Sequence, residues 1–170
     1  MGNREALLAG AKRCLSMQGW ARTTVRDIAR EAGVSHAAIG YHYGSREALL
    51  VAALFQATEE LGRQIERDLA DGAGPADRWQ ELLATFGTHR ALWVAQIEAL
   101  SQAQYVPSLR EQLTQRQRLS REAFGGAGPL AVLLGLMIQS LIDPDSTTGV
   151  EQLGLELESL GRQLTDHSQR

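Results

Sequence analysis

TTVRDIAREAGVSHAAIGYHYGSREALL, running from Thr23 to Leu50, carries the punctuation that decides how this chain folds. Val25, Ile28, Ala29 and Ala32 recur at helical spacing and form one inner face. Thr24 stands just before that face, with Asp27 three residues on. That is the pattern of a capping box, in which two residues satisfy backbone donors left open at a helix start. Gly33 follows the last apolar residue and suits the left-handed conformation that ends a helix. Val34 plugs the turn, Ser35 caps a short third helix that ends near Gly44, and Ser45 caps a fourth. Two short helices joined by a tight glycine turn make a helix-turn-helix.

A second helix that reads DNA needs small, polar outer side chains at its N-terminus. Only then does that end reach base edges while flanking groups hold phosphates. Ser35, His36, Ala37 and Ala38 fit this requirement. Ala37 or Ala38 suits a thymine methyl group, and His36 a base or a phosphate. An ordinary helical hairpin with incidental small residues has the same local pattern, so the hairpin alone does not establish DNA binding.

Outward from this stretch, the helical period continues. Leu8, Ala11 and Leu15 mark a first segment, and Leu50, Ala53, Leu54, Ala57, Leu61 and Ile65 a long fourth one. Trp79, Leu82, Leu83 and Phe86 follow, then Trp93, Ile97 and Leu100, then Leu109 and Leu113. The breaks are Gly19, Gly33, Gly44, the 71–75 linker, Pro107, the 125–129 segment and Asp143-Pro144-Asp145. Pro75 and Pro129 each predict a first helical residue, where no amide hydrogen is needed. The expectation is an all-α chain of about nine helices. A three-helix helix-turn-helix head would span residues 1–47 and a helical body residues 48–170.

The 170 residues (18.5 kDa) carry a net charge of -3. The first fifty residues hold Arg4, Lys12, Arg13, Arg22, Arg26, Arg30 and Arg46 against Glu5, Asp27, Glu31 and Glu47, a balance of +3. The rest is therefore acidic, and a polyanion partner is expected for the head alone. The one cysteine excludes a disulfide within the chain and a multi-cysteine zinc site. There is no signal-peptide core and no apolar run of roughly 20 residues. A cytoplasmic protein with no membrane partner is expected.

Three quoted stretches together resemble the TetR family of bacterial transcriptional repressors: LLAGAKRCLSMQGW (7–20), TTVRDIAREAGVS (23–35) and GYHYGSREALL (40–50). The resemblance implies that Thr24 touches phosphate and that Ser35, His36, Ala37 and Ala38 face the major groove. It implies that Tyr41 and His42 contact backbone and nearby bases, and that Arg46 holds a phosphate. Many members carry tyrosine where this chain has Gly40, so a backbone contact is lost or passed to Tyr41. Glycine within a helix also costs about 1 kcal/mol relative to alanine. Trp20 is expected to close the core of the head, and Cys14 to be a buried, inert thiol.

In the body, Val150, Leu153, Leu157, Leu160 and Leu164 step by three and four, with Gly154 and Gly161 beside them. The segment 129–142 is apolar nearly all round and so should be buried all round. Pairing it with 150–164 lets the two helices cover one another within a monomer or, as the resemblance implies, form a four-helix dimer interface from two copies, which suits a palindromic operator. The resemblance also implies an effector cavity, for which Trp79, Phe86, Trp93, Gln96 and Met137 are the candidates. Gln96 is the least core-like of them, because a buried amide needs partners. Arg116, Arg118 and Arg121 read as a solvated helix face.

Enzymatic signatures are missing from the sequence. His36, His42, His89, His167 and Cys14 lack metal-ligand spacing, and there is neither a GxSxG elbow nor a phosphate loop. Glu59 and Glu60 are consecutive on a helix and point apart. No catalytic residue, metal or cofactor is expected. The reading is a homodimeric repressor that binds a palindromic double-stranded DNA operator and is released by a small hydrophobic effector. The alternative is a helical protein–protein adaptor with a degenerate head, for which Gly40 is the support.

Overall fold

The computed structural model describes residues 2–69, 72–145 and 149–166. Asp71 of the first linker and His167 lie outside the described residues. The described residues form nine helices and no strand. They are α1 (Asn3–Arg22), α2 (Val25–Ala32), α3 (Ala37–Tyr43), α4 (Arg46–Asp68), α5 (Pro75–Thr88), α6 (Arg90–Gln102), α7 (Pro107–Ala123), α8 (Ala127–Ile142) and α9 (Val150–Asp166).

The caps follow the expected chemistry. Thr24 Oγ1 accepts the Asp27 N–H and the Asp27 carboxylate accepts the Thr24 N–H, so the capping box is complete. Gly33 takes φ 66°, ψ 29° and ends α2. Ser45 Oγ accepts the Ala48 N–H and starts α4. Two starts differ by one or two residues from expectation. Helix α3 begins at Ala37, and the hydroxyl of Ser35 takes the Ala37 N–H at 3.3 Å while His36 occupies the cap position. Helix α8 begins at Ala127, so Pro129 is its third residue rather than its first. The missing amide is still harmless there, because first-turn amides have no partner inside the helix. Pro75 does open α5.

Leu7, Ala11, Leu15, Trp20, Ile28, Ile39, Leu49, Leu50 and Leu54 form the core of the head. Helices α1 and α2 touch so closely at Gly10 that a Cβ there would sit 3.1 Å from both the Cβ and the amide nitrogen of Ala32. Trp20 is 1% exposed, as expected for a core residue. Cys14 is buried too. Burial pushes its thiol above the ordinary value, and Glu31 and Asp27 add to the effect. The same core continues through Ala95, Ala99, Ala103 and Leu109, so α6 and α7 complete it from beyond residue 47.

A second cluster joins Leu61, Phe86, Trp93, Leu130, Leu133 and Met137. Within α8, one face is buried at Leu130, Leu133, Met137 and Ser140. Ile138 is 45% exposed and Ile142 80%, so burial all round does not hold within one chain. Within one chain, α8 and α9 are not a main packing pair. Helix α9 finds its main packing partner within the chain in α5; Leu157, Leu160 and Leu164 are exposed, while Val150 and Leu153 are half-buried. The reason is geometric: one chain supplies too few elements to cover both apolar helices. No single helix among the described residues is long and apolar enough to cross a membrane.

Candidate nucleic-acid interface and ligand cavity

Helix α3 projects from the head with its N-terminal side uncovered. Ser35, His36 and Ala37 are exposed, and Tyr41 is 87% exposed, with its ring edge-on to His42 at 4.8 Å. Thr24 is also exposed. Ile39 anchors the opposite side of α3 in the core. At the far end, the Tyr43 hydroxyl donates to the Arg4 carbonyl at 2.8 Å and ties α3 to the start of α1. A short helix is thereby held at both ends while its outer face stays free.

Three of the eight expected contact residues sit differently, His42 among them because it is half-buried. Ala38 is half-buried and packs against the core. Arg46 turns its guanidinium inward, donating to the carbonyls of Thr23 and Trp20 and pairing with Glu47 at 2.8 Å. Its donors brace the end of α1, and a guanidinium so engaged has few hydrogens left for a phosphate. A free cation stands nearby instead. Arg26, in the first turn of α2, is exposed and has no hydrogen bond or ion pair among the described residues. Its polar position beside a capped helix start was legible in the sequence as the outer face of α2.

Asp27 is the electrostatic pivot of that cap. The Thr24 hydroxyl, the Thr24 amide and Gln18 hydrogen-bond its carboxylate, and Arg30 adds an ion pair at 2.8 Å. Together they lower its pKa to about 2.

On the other side of α4 lies a cavity of about 360 Å³. Trp93, Gln96 and Met137 line it, as expected. Phe86 and Trp79 stand behind the wall rather than in it. Phe86 packs edge-on against Trp93 at 5.3 Å, and Trp79 edge-on against Phe124 at 6.4 Å. Trp93 spends its indole N–H on the Thr85 carbonyl at 3.0 Å, so it offers the cavity only an apolar surface. Gln96 and Ser120 have no side-chain partner among the described residues and are the free polar groups of the lining.

The sequence reading missed Phe55, Glu59, Arg116 and Phe124 as lining residues. Arg116 is not simply a solvated face residue: it pairs with Glu59 at 2.9 Å and lies over the Phe55 ring at 4.9 Å. The signal was helical spacing across charged positions. Phe55, Glu59 and Gly62 share one face of α4, and Arg116, Ser120 and Ala123 one face of α7. Among the described residues, no cluster of His, Cys, Asp or Glu could hold a metal ion.

Comparison with known proteins agrees with this geometry. Residues 7–53, which cover α1 to the first turns of α4, match the family of bacterial regulatory proteins, tetR family. An uncharacterized HTH-type transcriptional regulator of Mycobacterium tuberculosis (strain CDC 1551 / Oshkosh) is 30% identical, over 87% of this chain and 67% of that protein. The HTH-type transcriptional regulator BetI of Brucella suis is 27% identical, over 95% of this chain and 91% of that protein. Among solved structures, the multidrug binding protein EbrR, complexed with proflavin, superposes with a TM-score of 0.64 at 24% identity, covering 95% of this chain and 99% of its own. Regulators of this kind are non-enzymatic DNA-binding proteins. The chain therefore belongs to the TetR family and is a transcriptional regulator with a helix-turn-helix DNA-binding head.

Proposed function

We propose that this regulator is a homodimeric repressor that reads a palindromic operator and is released by a small, neutral, largely apolar effector. The observation that carries the reading is the double role of α4. Its first turn braces the head through Arg46, and its middle, from Phe55 to Gly62, walls the cavity. One rigid helix therefore joins the two sites. Residues 1–47 act as the reading unit and residues 48–170 as the sensing and dimerising unit, although they share one core.

The exposed leucines of α9, with Ile138 and Ile142 of α8, support a second copy as their cover. Two-fold symmetry then presents two recognition helices to successive major-groove faces. Ser35, His36, Ala37 and Tyr41 supply the outward contacts, with Thr24 and Arg26 beside the phosphates. The neutrality of the effector follows from the lining. Glu59 and Arg116 cancel one another, which leaves Gln96 and Ser120 as uncharged hydrogen-bonding anchors in an apolar wall. Binding of ligand and of DNA would then oppose each other by linkage.

Selection of duplexes from a random pool tests the proposal. An inverted repeat with half-site centres about 34 Å or a multiple of it apart is expected. His36→Ala should then weaken binding by about 1–3 kcal/mol and relax preference at one base position. Equal binding to every sequence would overturn it, and no binding to any duplex would favour the adaptor reading.

A further inference from the structure

Helix α6 has two working faces. Trp93 and Gln96 look into the cavity, while Ala95 and Ala99, fully buried, pack into the core of the head. Glu98 faces α1. At 3.6 residues per turn Gln96 and Glu98 lie about 200° apart, so only the width of α6 separates the cavity from α1.

The contact Glu98 makes there is specific. Its Oε2 accepts the N–H of Trp20 at 2.7 Å and the N–H of Ala21 at 3.3 Å. Those amides are presented because Gly19 leaves helical geometry at φ 75°, ψ -178°, which glycine adopts without strain. The same turn is gripped from its carbonyl side. Arg46 donates to Trp20 O and to Thr23 O, and Thr23 leads directly into the Thr24 cap of α2. A hydrogen-bonded path thus runs from α6 through Glu98 and the end of α1 to Arg46, the start of α4 and the cap of α2. A carboxylate accepting two amides is a strong, directional link.

We infer that Glu98 is a positioning residue that passes the state of the cavity to the DNA-binding head. The inference rests on the proposed reading of the cavity as an effector site. A group pressed against Trp93 and Gln96 pushes α6 from its cavity face and moves Glu98 on the other. Helix shifts in switching proteins are about 1–2 Å. A displacement of about 1 Å takes the Trp20 contact beyond hydrogen-bond range. The end of α1 then loosens, and with it the seat on which Arg46 and the α2 cap rest.

A double-mutant cycle on the full chain tests this. Gln96→Trp fills the cavity in place of an effector, and Glu98→Ala cuts the link. Two quantities are measured: hydrogen exchange of the Trp20 and Ala21 amides by NMR, and affinity for a duplex selected by the unmodified chain. Gln96→Trp alone should speed exchange at both amides and weaken duplex binding at least about fivefold. In the Glu98→Ala background the same substitution should change affinity by less than about twofold. Glu98→Gln, which keeps an acceptor oxygen, should restore part of the response, and it carries the cycle if Glu98→Ala fails to fold. A residue that merely steadies α1 would lower the melting temperature and leave the response to Gln96→Trp intact. An equal response with and without Glu98, or unchanged exchange in Gln96→Trp, overturns the inference. If no duplex is selected, the repressor reading fails, and the exchange measurement still decides whether Glu98 links cavity to head.

Discussion

The head and the body solve the burial problem differently. In the head, every helix finds its apolar face a partner: Leu7, Ile28, Leu49, Leu50 and Leu54 are all fully buried. In the body, the core surrounds a cavity of about 360 Å³, and Leu160 and Leu164 remain 48% and 65% exposed on α9. The head is packed within one chain, whereas the body keeps a cavity and an uncovered apolar face on α9. Under the proposed reading, a head that reads DNA needs fixed geometry, and a body that senses a ligand needs more than one way to fill its interior.

The largest expected effect sets the two cores against each other. Trp20→Ala should destabilise the chain by about 3–5 kcal/mol, because the indole is 1% exposed in the packed core of the head. Leu133→Ala, on a wall that already faces a cavity, should lose only about 2 kcal/mol. Chemical denaturation of both variants checks the difference. Equal losses would show that the body is as tightly packed as the head.

Next in size is the outer face of α9. Leu157→Asp with Leu160→Asp should give a folded monomer in sedimentation and weaken binding to a selected duplex about 100-fold, a free energy near 2.7 kcal/mol. A dimer that persists would assign those leucines some other cover.

Two helical glycines of the head should then respond with opposite sign. Gly10→Val should destabilise by about 1–3 kcal/mol, since the added side chain meets the Ala32 backbone. Gly40→Ala should stabilise by about 1 kcal/mol, because nothing lies within 4 Å of a Cβ there and the position is helical. Thermal melting measures both. A loss at Gly40 would mean that α3 depends on its flexibility.

The smallest effect concerns acid. Asp27 is held at about pKa 2 in the folded head, against an ordinary carboxylate value near 3.9 when unfolded. Its contribution is complete above the unfolded value and fades as the pH falls toward 2. Asp27→Asn should therefore flatten the acid limb of the stability profile between about pH 4 and 2. The limb staying unchanged would place the acid sensitivity elsewhere.

Local chemistry explains what was legible. Thr24, Asp27, Gly33 and Ser45 each act on backbone within a few residues, so their roles follow from neighbours in sequence. Cys14 was readable as core from its place beside Leu15 on the first helix, and Trp20 from the family resemblance, in which an aromatic follows Gly19. Arg46 was not, because its partners are two carbonyls more than twenty residues away. Arg116 and Phe55 meet across different helices, and neither residue alone signals a cavity.

By itself, then, the order of residues determined about nine helical segments, most of their caps and the helix-turn-helix, since capping and periodicity act over a turn or two. Only the tertiary structure decided that Ala38 turns inward, that Arg46 and Glu98 grip one end of α1 from two sides, and that α9 leans on α5 with Leu157, Leu160 and Leu164 exposed. Those outcomes depend on which faces meet in space, and helix packing chooses among faces that periodicity leaves equivalent.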